Sequence, residues 1–197
     1  MRLSKEQAAR NRQSIIDAAA RLFRERGIDG VGVADLMKAA GFTHGGFYNH
    51  FSSKEALAAE ACTASFEATM AELTATLEAR PPGPAFSHYL EEYLSPDHRD
   101  DPSGGCATAS LAVDAWRQGE QVQAAYADGV EGVLSIFAAQ LAKSGPGKKR
   151  DPAAARGRAM RLLSEIVGAV VLARAVVGAN PALSDAILQA SREKLGT

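Results

Sequence analysis

The sequence predicts an all-α fold, with a small helical domain at the N-terminus, a larger helical domain after it, and about nine helices in all. Three observations indicate this class. Alanine is abundant, few segments alternate apolar and polar residues as half-buried strands do, and apolar residues recur three and four positions apart. A length of 197 residues suits one large domain or two small ones, and the composition is that of a globular protein.

Two helices are predicted before residue 41. The first covers about residues 5–26, where apolar side chains form one stripe at helical spacing, and Gly27 ends it. The second covers about residues 33–40, and we expect Gly41 to end it as the glycine that follows the C-cap. The stripes consist of Ile15, Ile16, Ala19, Leu22 and Phe23 in the first helix and Val33, Leu36, Met37 and Ala40 in the second.

The segment GFTHGGFYNHFSSKEAL, residues 41–57, predicts a third helix of about two turns. The Thr43 hydroxyl can cap its first turn. Phe47 and Phe51 lie four positions apart and should face inward. Each of the two adjacent glycines costs such a helix roughly 1 kcal/mol relative to alanine. The residues expected to face outward are His44, Gly45, Tyr48 and Asn49.

A long fourth helix is predicted next. Ser52 and Glu55 have the spacing of a capping box, with Ser52 as the cap. The helix should continue to about Arg80, where the stretch PPGP at residues 81–84 breaks the chain.

The remaining chain also has the pattern of helices. Residues 95–105 are a loop by composition. Asn180 and Pro181 predict the start of the last helix, with asparagine as cap and proline at the first helical position. The other helices are predicted over about residues 86–94, 106–118, 121–143 and 153–178, with a basic connection at residues 143–152.

The charge of the chain is unevenly distributed. Residues 1–54 hold nine Lys and Arg against five Asp and Glu, a net charge of +4. Residues 55–197 hold thirteen against eighteen, a net charge of −5. A basic N-terminal region on an acidic body suits a chain that presents one end to a polyanion such as nucleic acid.

The sequence carries no pattern that places it in or across a membrane. The N-terminus is polar and does not read as a signal peptide. The apolar run from Ile166 to Ala179 is too short to span a bilayer and is interrupted by Arg174. Two cysteines, Cys62 and Cys106, do not indicate a disulfide scaffold. We therefore expect a cytoplasmic protein that does not interact with membranes.

The first three predicted helices have the layout of a helix-turn-helix. The second and third are joined by the tight turn Gly41-Phe42. In this motif the second helix of the pair enters the DNA major groove, so its exposed groups bond to bases or phosphates. A helix that lacks side chains at two adjacent positions also lets its backbone approach DNA closely. We therefore predict a DNA-binding domain at residues 1–54 and a second helical domain at residues 55–197.

The stretch AARNRQSIIDAAARLFRERGIDGVGVADLMKAAGFTHGGFYNHFSSKEAL resembles the N-terminal hallmark of the tetracycline-repressor (TetR) family of bacterial transcriptional regulators. The resemblance covers about residues 8–60, where many separate features agree in order and spacing; beyond that, helix count and chain length fit the family. It implies a homodimeric repressor of a palindromic operator in double-stranded DNA. It also implies dimerisation through the last two helices and release from DNA by a small-molecule effector.

The resemblance carries particular roles to residues of this sequence, with one departure. Members of the family commonly cap the second helix with a Ser or Thr that touches a phosphate, whereas Val31-Gly32-Val33 offers no hydroxyl. A contact there must come from backbone N–H groups. Lys54, in the first turn of the fourth helix, also suits a phosphate by its own chemistry. Phosphate and positioning contacts fall on Thr43, Tyr48, His50 and Lys54, and variable base readout falls on His44, Gly45, Gly46 and Asn49.

Aromatic side chains along the later helices have two interpretations. They could line an effector pocket, whose ligand would then be apolar or aromatic with few charges. They also fall at core spacing, which is typical of plain packing. The pocket candidates are Phe66, Met70, Tyr89, Tyr93, Cys106, Trp116, Tyr126 and Phe137.

Cys106 suggests an alternative means of control. It follows two glycines at the start of a predicted helix, a location that favours the reactive thiolate form of a cysteine. Some members of the family resemble it in holding a reactive cysteine early in the corresponding helix, and they sense electrophiles or oxidants. The chain could therefore be a thiol-based sensor that uses Cys106, or Cys106 could be a small buried residue. Cys62, on an apolar stripe, is expected in the core.

Two other classes of protein compete with a regulator. An enzyme would need a catalytic constellation, and the sequence holds no nucleophile elbow, no zinc-protease helix and no phosphate-binding glycine loop. Cys106 with His88 or His98 is conceivable as a thiol–imidazole pair but has no established spacing. We predict no catalytic residue, no metal site and no cofactor. The polar face at His44 and Asn49 argues against a protein that binds DNA of any sequence.

Overall fold

The computed structural model describes residues 4–144 and 152–195, and every regular element among them is a helix. This confirms the all-α class. Part of the predicted basic connection at residues 143–152 lies outside the described residues. The elements are α1 (Lys5–Arg26), α2 (Val33–Ala39), a 3-10 helix (His44–Asn49), α3 (Lys54–Glu78), α4 (Pro82–Tyr93), α5 (Pro96–Asp100), α6 (Ala107–Ala115), α7 (Glu120–Ser144), α8 (Pro152–Val176) and α9 (Pro181–Leu195).

The chain divides into two compact units, each built from separated stretches of sequence. The first contains the residues up to Glu67 together with Cys106–Gly129, and the second contains Ala68–Gly105 together with the residues from Val130 onward. Helices α3 and α7 therefore contribute residues to both units. The domain boundary at residue 54 stays a prediction. None of the helices in the described part of the chain has the length and apolar character that crossing a membrane requires.

Helix α1 has the bounds that the sequence predicts. The Ser4 hydroxyl accepts a hydrogen bond from the Gln7 N–H at 3.1 Å and caps the first turn. Gly27 ends the helix with φ at +76°, a conformation that favours glycine. The buried face consists of Ile15, Ile16, Ala19, Ala20, Leu22 and Phe23.

Gly41 ends α2 as predicted. Its φ is +83°, and its N–H donates to the Lys38 carbonyl at 3.1 Å. The Phe42 N–H donates to the Met37 carbonyl at 2.8 Å. These two bonds are those of a Schellman motif, which reverses the chain sharply after a helix. The turn between α2 and the following helix is thus set by one glycine.

The third helix is present and two turns long, as predicted, but it is a six-residue 3-10 helix and the predicted cap is wrong. Thr43 occupies the N-cap position without a side-chain hydrogen bond. The first turn is closed by backbone alone, since the Gly46 N–H donates to the Thr43 carbonyl at 3.1 Å. A short segment with two glycines has little propensity for a regular α-helix, and short 3-10 pieces are common in such connections.

Ser53, rather than Ser52, caps α3. The Ser53 hydroxyl accepts from the Ala56 N–H at 3.0 Å, and its carbonyl accepts from the Leu57 N–H at 3.2 Å. The predicted capping box is therefore wrong, because Glu55 lies one position too early for it. Because the two serines are adjacent, the sequence favours Ser52 and Ser53 almost equally as the cap. The surrounding structure therefore decides which of them begins α3.

The second unit contains a short helix, α5, where the sequence predicts only loop. The Ser95 hydroxyl caps it by accepting from the His98 N–H at 3.1 Å, and Pro96 occupies the first turn. Arg174 of α8 donates to the carbonyls of His98 and Arg99, both at 2.9 Å, at the other end of α5. The charge that interrupts the apolar run of α8 therefore satisfies carbonyls of α5.

Arg99 fastens α5 to α9. Its side chain is 8% exposed and donates to the Ser184 hydroxyl at 2.9 Å and to an Asp185 carboxylate oxygen at 2.6 Å. His98 is half-buried, and desolvation together with the positive charge of Arg174 lowers its pKa to about 4. Buried polar groups of this kind require partners, and here they fix the position of α5.

Helices α8 and α9 pack against each other in the second unit. The Leu183 N–H donates to the Asn180 side-chain oxygen at 3.0 Å, which confirms the predicted asparagine cap of α9. The two helices also meet through Ser184, whose hydroxyl donates to the Ala173 carbonyl at 2.9 Å.

The cap of α3 leads to a direct test. We expect Ser53→Ala to lower the free energy of unfolding by about 1 kcal/mol, because the Ala56 N–H loses its partner. The matched variant Ser52→Ala, at the neighbouring exposed serine, should change it by less than roughly 0.5 kcal/mol. Urea denaturation followed by far-ultraviolet circular dichroism measures both. A larger loss for Ser52→Ala would contradict the observed cap.

Candidate nucleic-acid interface

The 3-10 helix is held against the rest of the first unit by aromatic burial. Phe47 and Phe51 are almost fully buried, and their ring centroids lie 5.8 Å apart. Met37, on α2, is also buried, and its methyl group would lie 3.6 Å from a Cβ added at Gly46. The helix is therefore anchored on one side by its own Phe47 and by Phe51, which follows it by two residues, and both face inward as predicted.

The opposite side of the 3-10 helix faces outward. Thr43, His44 and Asn49 are exposed, and Tyr48 is 71% exposed. His50, at the end of the helix, is half-buried. The predicted outward direction of the polar residues is thus confirmed. Their groups offer donors and acceptors, together with one aromatic ring, over a surface of two short turns.

The two glycines of this helix are not required by the fold. Neither has a positive φ, which among the described glycines occurs at Gly27 and Gly41. A Cβ at Gly45 would meet no atom within 4 Å, and one at Gly46 would make only an ordinary contact with Met37. Glycine also weakens helices, so neither packing nor stability explains these two residues. Their lack of side chains leaves open space beside the backbone, where another molecule can approach.

Lys54 opens α3 and lines a polar cleft of about 170 Å³ in the first unit. The cleft has mixed charge, with Lys54 and Arg117 as cations and Asp29 and Glu55 as anions. The remaining lining residues are Ile28, Gln118 and Gly119.

The connection after α1 lies against the end of α6. A Cβ added at Gly27 would lie 3.0 Å from a carboxylate oxygen of Asp114, and the Ile28 N–H donates to the same carboxylate. Burial, together with the nearby Asp29 carboxylate, raises the pKa of Asp114. Helix α6 therefore contacts the helix-turn-helix region directly, a relation that no sequence pattern indicates.

The structure gathers three of the predicted pocket residues in the second unit. The ring centroids of Tyr89 and Phe137 are 5.7 Å apart, and those of Tyr89 and Tyr93 are 5.6 Å apart. Phe86, which is not among the predicted pocket residues, joins them at 5.2 Å from Phe137. Met70 lies in the same unit, where its sulfur packs close to Gly132.

Two further candidates lie together in the first unit. The ring centroids of Phe66 and Tyr126 are 5.3 Å apart, and the Tyr126 hydroxyl donates to the Thr108 carbonyl at 2.8 Å. Burial raises the pKa of Tyr126, and it raises the pKa of the Cys62 thiol to about 12. Cys106 is 8% exposed and occupies the N-cap position of α6.

Trp116 is placed differently from the other pocket candidates. It is 67% exposed, and the Arg117 guanidinium carbon lies 4.7 Å from its ring centroid. The effector pocket as a whole stays a prediction. Within residues 4–144 and 152–195, no group of three or more His, Cys, Asp or Glu side chains lies close enough together to hold a metal ion.

The fold and this surface define the class of an all-helical protein with an N-terminal helix-turn-helix, and comparison with known proteins gives the family. Residues 15–61 match the sequence model of a protein family that is described as bacterial regulatory proteins, tetR family. The helix-turn-helix region of the chain is that of the TetR family.

Several curated regulators are similar in sequence. The regulator AcrR of Shigella flexneri is 34% identical over 105 residues, which cover 50% of this chain and 48% of that protein. The repressor DhaR of Mycobacterium sp. is 30% identical over 103 residues, which cover 52% of this chain and 51% of that protein. The chain therefore spans about half the length of the first curated relatives it matches.

Solved structures agree with the fold along most of the chain. The reduced form of Escherichia coli NemR has a TM-score of 0.76 at 21% identity, with 94% of each chain covered. A TetR-family regulator from Cytophaga hutchinsonii has a TM-score of 0.76 at 24% identity, with 98% of this chain and 96% of that chain covered. At these identities the likeness concerns the fold alone.

Proposed function

We propose that the chain is a sequence-specific DNA-binding repressor that acts as a homodimer on a palindromic operator and is released by a small-molecule inducer. The observation that carries the proposal is the exposed polar face of the 3-10 helix, fixed by the buried Phe47 and Phe51 directly after the α2 turn. The names of similar proteins, among them the repressors DhaR and NemR, support it. A cytoplasmic location and the absence of catalysis belong to the same proposal.

The DNA contacts divide into two kinds. Thr43, Tyr48, His50 and Lys54 would hold phosphates and fix the position of the helix in the major groove. His44 and Asn49 would read base edges, while Gly45 and Gly46 allow the backbone to come close. The domain at residues 1–54 would carry all of these contacts.

The homodimer would form through α8 and α9. Large apolar side chains remain exposed on both helices, although the two pack against each other. Exposed apolar side chains on paired helices are typical of an interface with a second copy. The residues concerned are Met160, Leu172 and Leu183. A symmetric dimer would present two reading helices about one DNA turn apart, ~34 Å.

The inducer would act by favouring a dimer whose reading helices are wrongly spaced. A coupling of about 1–3 kcal/mol is typical of such control. The aromatic cluster of Tyr89, Tyr93 and Phe137 suits an apolar or aromatic ligand with few charges. Within the first unit, helix α6 contacts the connection after α1 through Asp114.

Thiol chemistry is the second candidate for the release signal. Cys106 begins α6, the same helix that contacts the connection after α1, and it is largely buried within the first unit. In this alternative, an electrophile or oxidant reacts with the Cys106 thiol and shifts α6, while DNA recognition stays as proposed.

The division of DNA contacts is tested by four single variants. Tyr48→Ala and Lys54→Ala should weaken binding to all duplexes alike, and Lys54→Ala should reduce the slope of log affinity against log salt by about one. His44→Ala and Asn49→Ala should instead change base preference, by about 1–3 kcal/mol at the affected base pair. Affinities for a genomically selected operator and its single-base variants, at fixed salt, measure this. Equal losses for all four variants on all duplexes would indicate non-specific binding.

Gly45 allows stability and DNA binding to be separated. Gly45→Ala should raise the free energy of unfolding by about 0.4–1 kcal/mol, because a Cβ there has open space and the unfolded chain loses freedom. It should weaken operator binding about tenfold, equivalent to ~1.4 kcal/mol. The matched variant Gly83→Ala, also in open space but in α4, should leave operator affinity unchanged. Undiminished operator binding by Gly45→Ala would contradict close approach of the backbone.

The proposed dimer interface is tested at Leu172, which is 58% exposed on α8. Leu172→Glu should yield monomers, because two like charges would be buried at a symmetric interface. Val113→Glu is the control, since Val113 is an apolar residue of α6 with 48% exposure. Sedimentation velocity measures the mass of both variants. A dimeric Leu172→Glu protein would place the interface elsewhere.

A further inference from the structure

Arg12 of α1 contacts two other segments of the first unit at once. Its guanidinium carbon lies 4.5 Å from the centroid of the Phe51 ring, and its Nη2 lies 2.5 Å from a carboxylate oxygen of Glu60. Phe51 follows the 3-10 helix by two residues, and Glu60 lies in the second turn of α3. Arg12 is therefore where α1, the end of the 3-10 helix and α3 meet.

The two contacts need a planar, forked cation. A guanidinium can lay its face on an aromatic ring while its edge donates to a carboxylate, so one side chain fixes two directions. Both Arg12 and Glu60 are about two-fifths exposed, and an ion pair in that setting contributes little to overall stability. The Arg12–Glu60 pair is thus better suited to fixing the position of the Phe51 ring than to stabilising the fold.

The ring that Arg12 covers belongs to a residue whose backbone is hydrogen-bonded to the 3-10 helix. The Phe51 N–H and the His50 N–H both donate to the Phe47 carbonyl, at 3.1 and 2.9 Å. These two bonds join the backbone from Phe47 to Phe51 into one turn, which includes Asn49. A shift of the Phe51 ring would change the direction of Asn49 and His50.

We propose that Arg12 is a positioning residue for DNA recognition, which sets the C-terminal end of the 3-10 helix relative to α3 without touching DNA. The inference rests on the proposed function. One face of the guanidinium lies on Phe51 and one edge is bound by Glu60, whose charge offsets that of Arg12. Arg12 affects DNA binding only by holding Phe51 in place, and it holds Phe51 in place in the protein without DNA as well.

The test compares three variants of the full chain with the wild type. Arg12→Ala removes the guanidinium from the Phe51 ring, and Glu60→Gln removes the carboxylate that holds the guanidinium there. Arg10→Ala is the control, since Arg10 is an exposed residue of α1 whose partners all lie within that helix. We expect about five- to tenfold weaker operator binding for the first two variants and no change for Arg10→Ala. The double variant should bind no more weakly than Arg12→Ala alone, because Glu60 acts through the Arg12 guanidinium.

Two readouts separate positioning from other roles. The slope of log affinity against log salt should stay that of the wild type, whereas loss of a direct phosphate contact reduces it by about one. Without DNA, the His50 and Phe51 amide protons should exchange with solvent several-fold faster in Arg12→Ala and Glu60→Gln, and unchanged in Arg10→Ala.

The outcomes distinguish this inference from the proposed function. Unchanged amide exchange, a reduced salt slope for Arg12→Ala alone, or a general loss of thermal stability that accounts for the weaker binding would each overturn the role of Arg12. A wild-type protein that selects no sequence from genomic DNA would instead refute the proposed function, while the exchange measurement would still decide whether Arg12 holds the 3-10 helix.

Discussion

The burial of Phe47 and Phe51 is the constraint on which the DNA-binding region depends. A six-residue 3-10 helix with two glycines has too little intrinsic stability to persist alone. The two buried rings hold it against the first unit and thereby direct its opposite side outward. The identity of the exposed side chains can then vary without cost to the core, because the buried rings and the exposed side chains lie on different sides of one short segment.

The second unit depends more on polar contacts. Arg99 and Arg174 connect the short α5 to α8 and α9 through carbonyls, a hydroxyl and a carboxylate. Apolar packing alone tolerates several arrangements of helices, whereas a buried cation accepts only the arrangement that provides its partners. The pair α8 and α9, on which the proposed dimer relies, is thus fixed from within its own unit.

Local patterns predicted those features that local chemistry decides. The bounds of α1, the positive φ of Gly41 and the asparagine cap of α9 each follow from a few neighbouring residues. The prediction failed where two local solutions compete. Ser52 and Ser53 are equally good caps in sequence, and only the surrounding structure selects between them.

The same division holds for the candidate interface. The outward side of the 3-10 helix was predictable from the spacing of its two phenylalanines, and the resemblance to a known family named the residues there. The contacts of Arg12 could not be predicted from the sequence, because its partners Phe51 and Glu60 lie 39 and 48 positions away. The local sequence places Arg12 one turn before the buried stripe of α1 and says nothing of these two partners.

The first compact unit has a consequence for synthesis of the chain. Because this unit includes Cys106–Gly129, a nascent polypeptide cannot complete it until residue 129 has emerged from the ribosome.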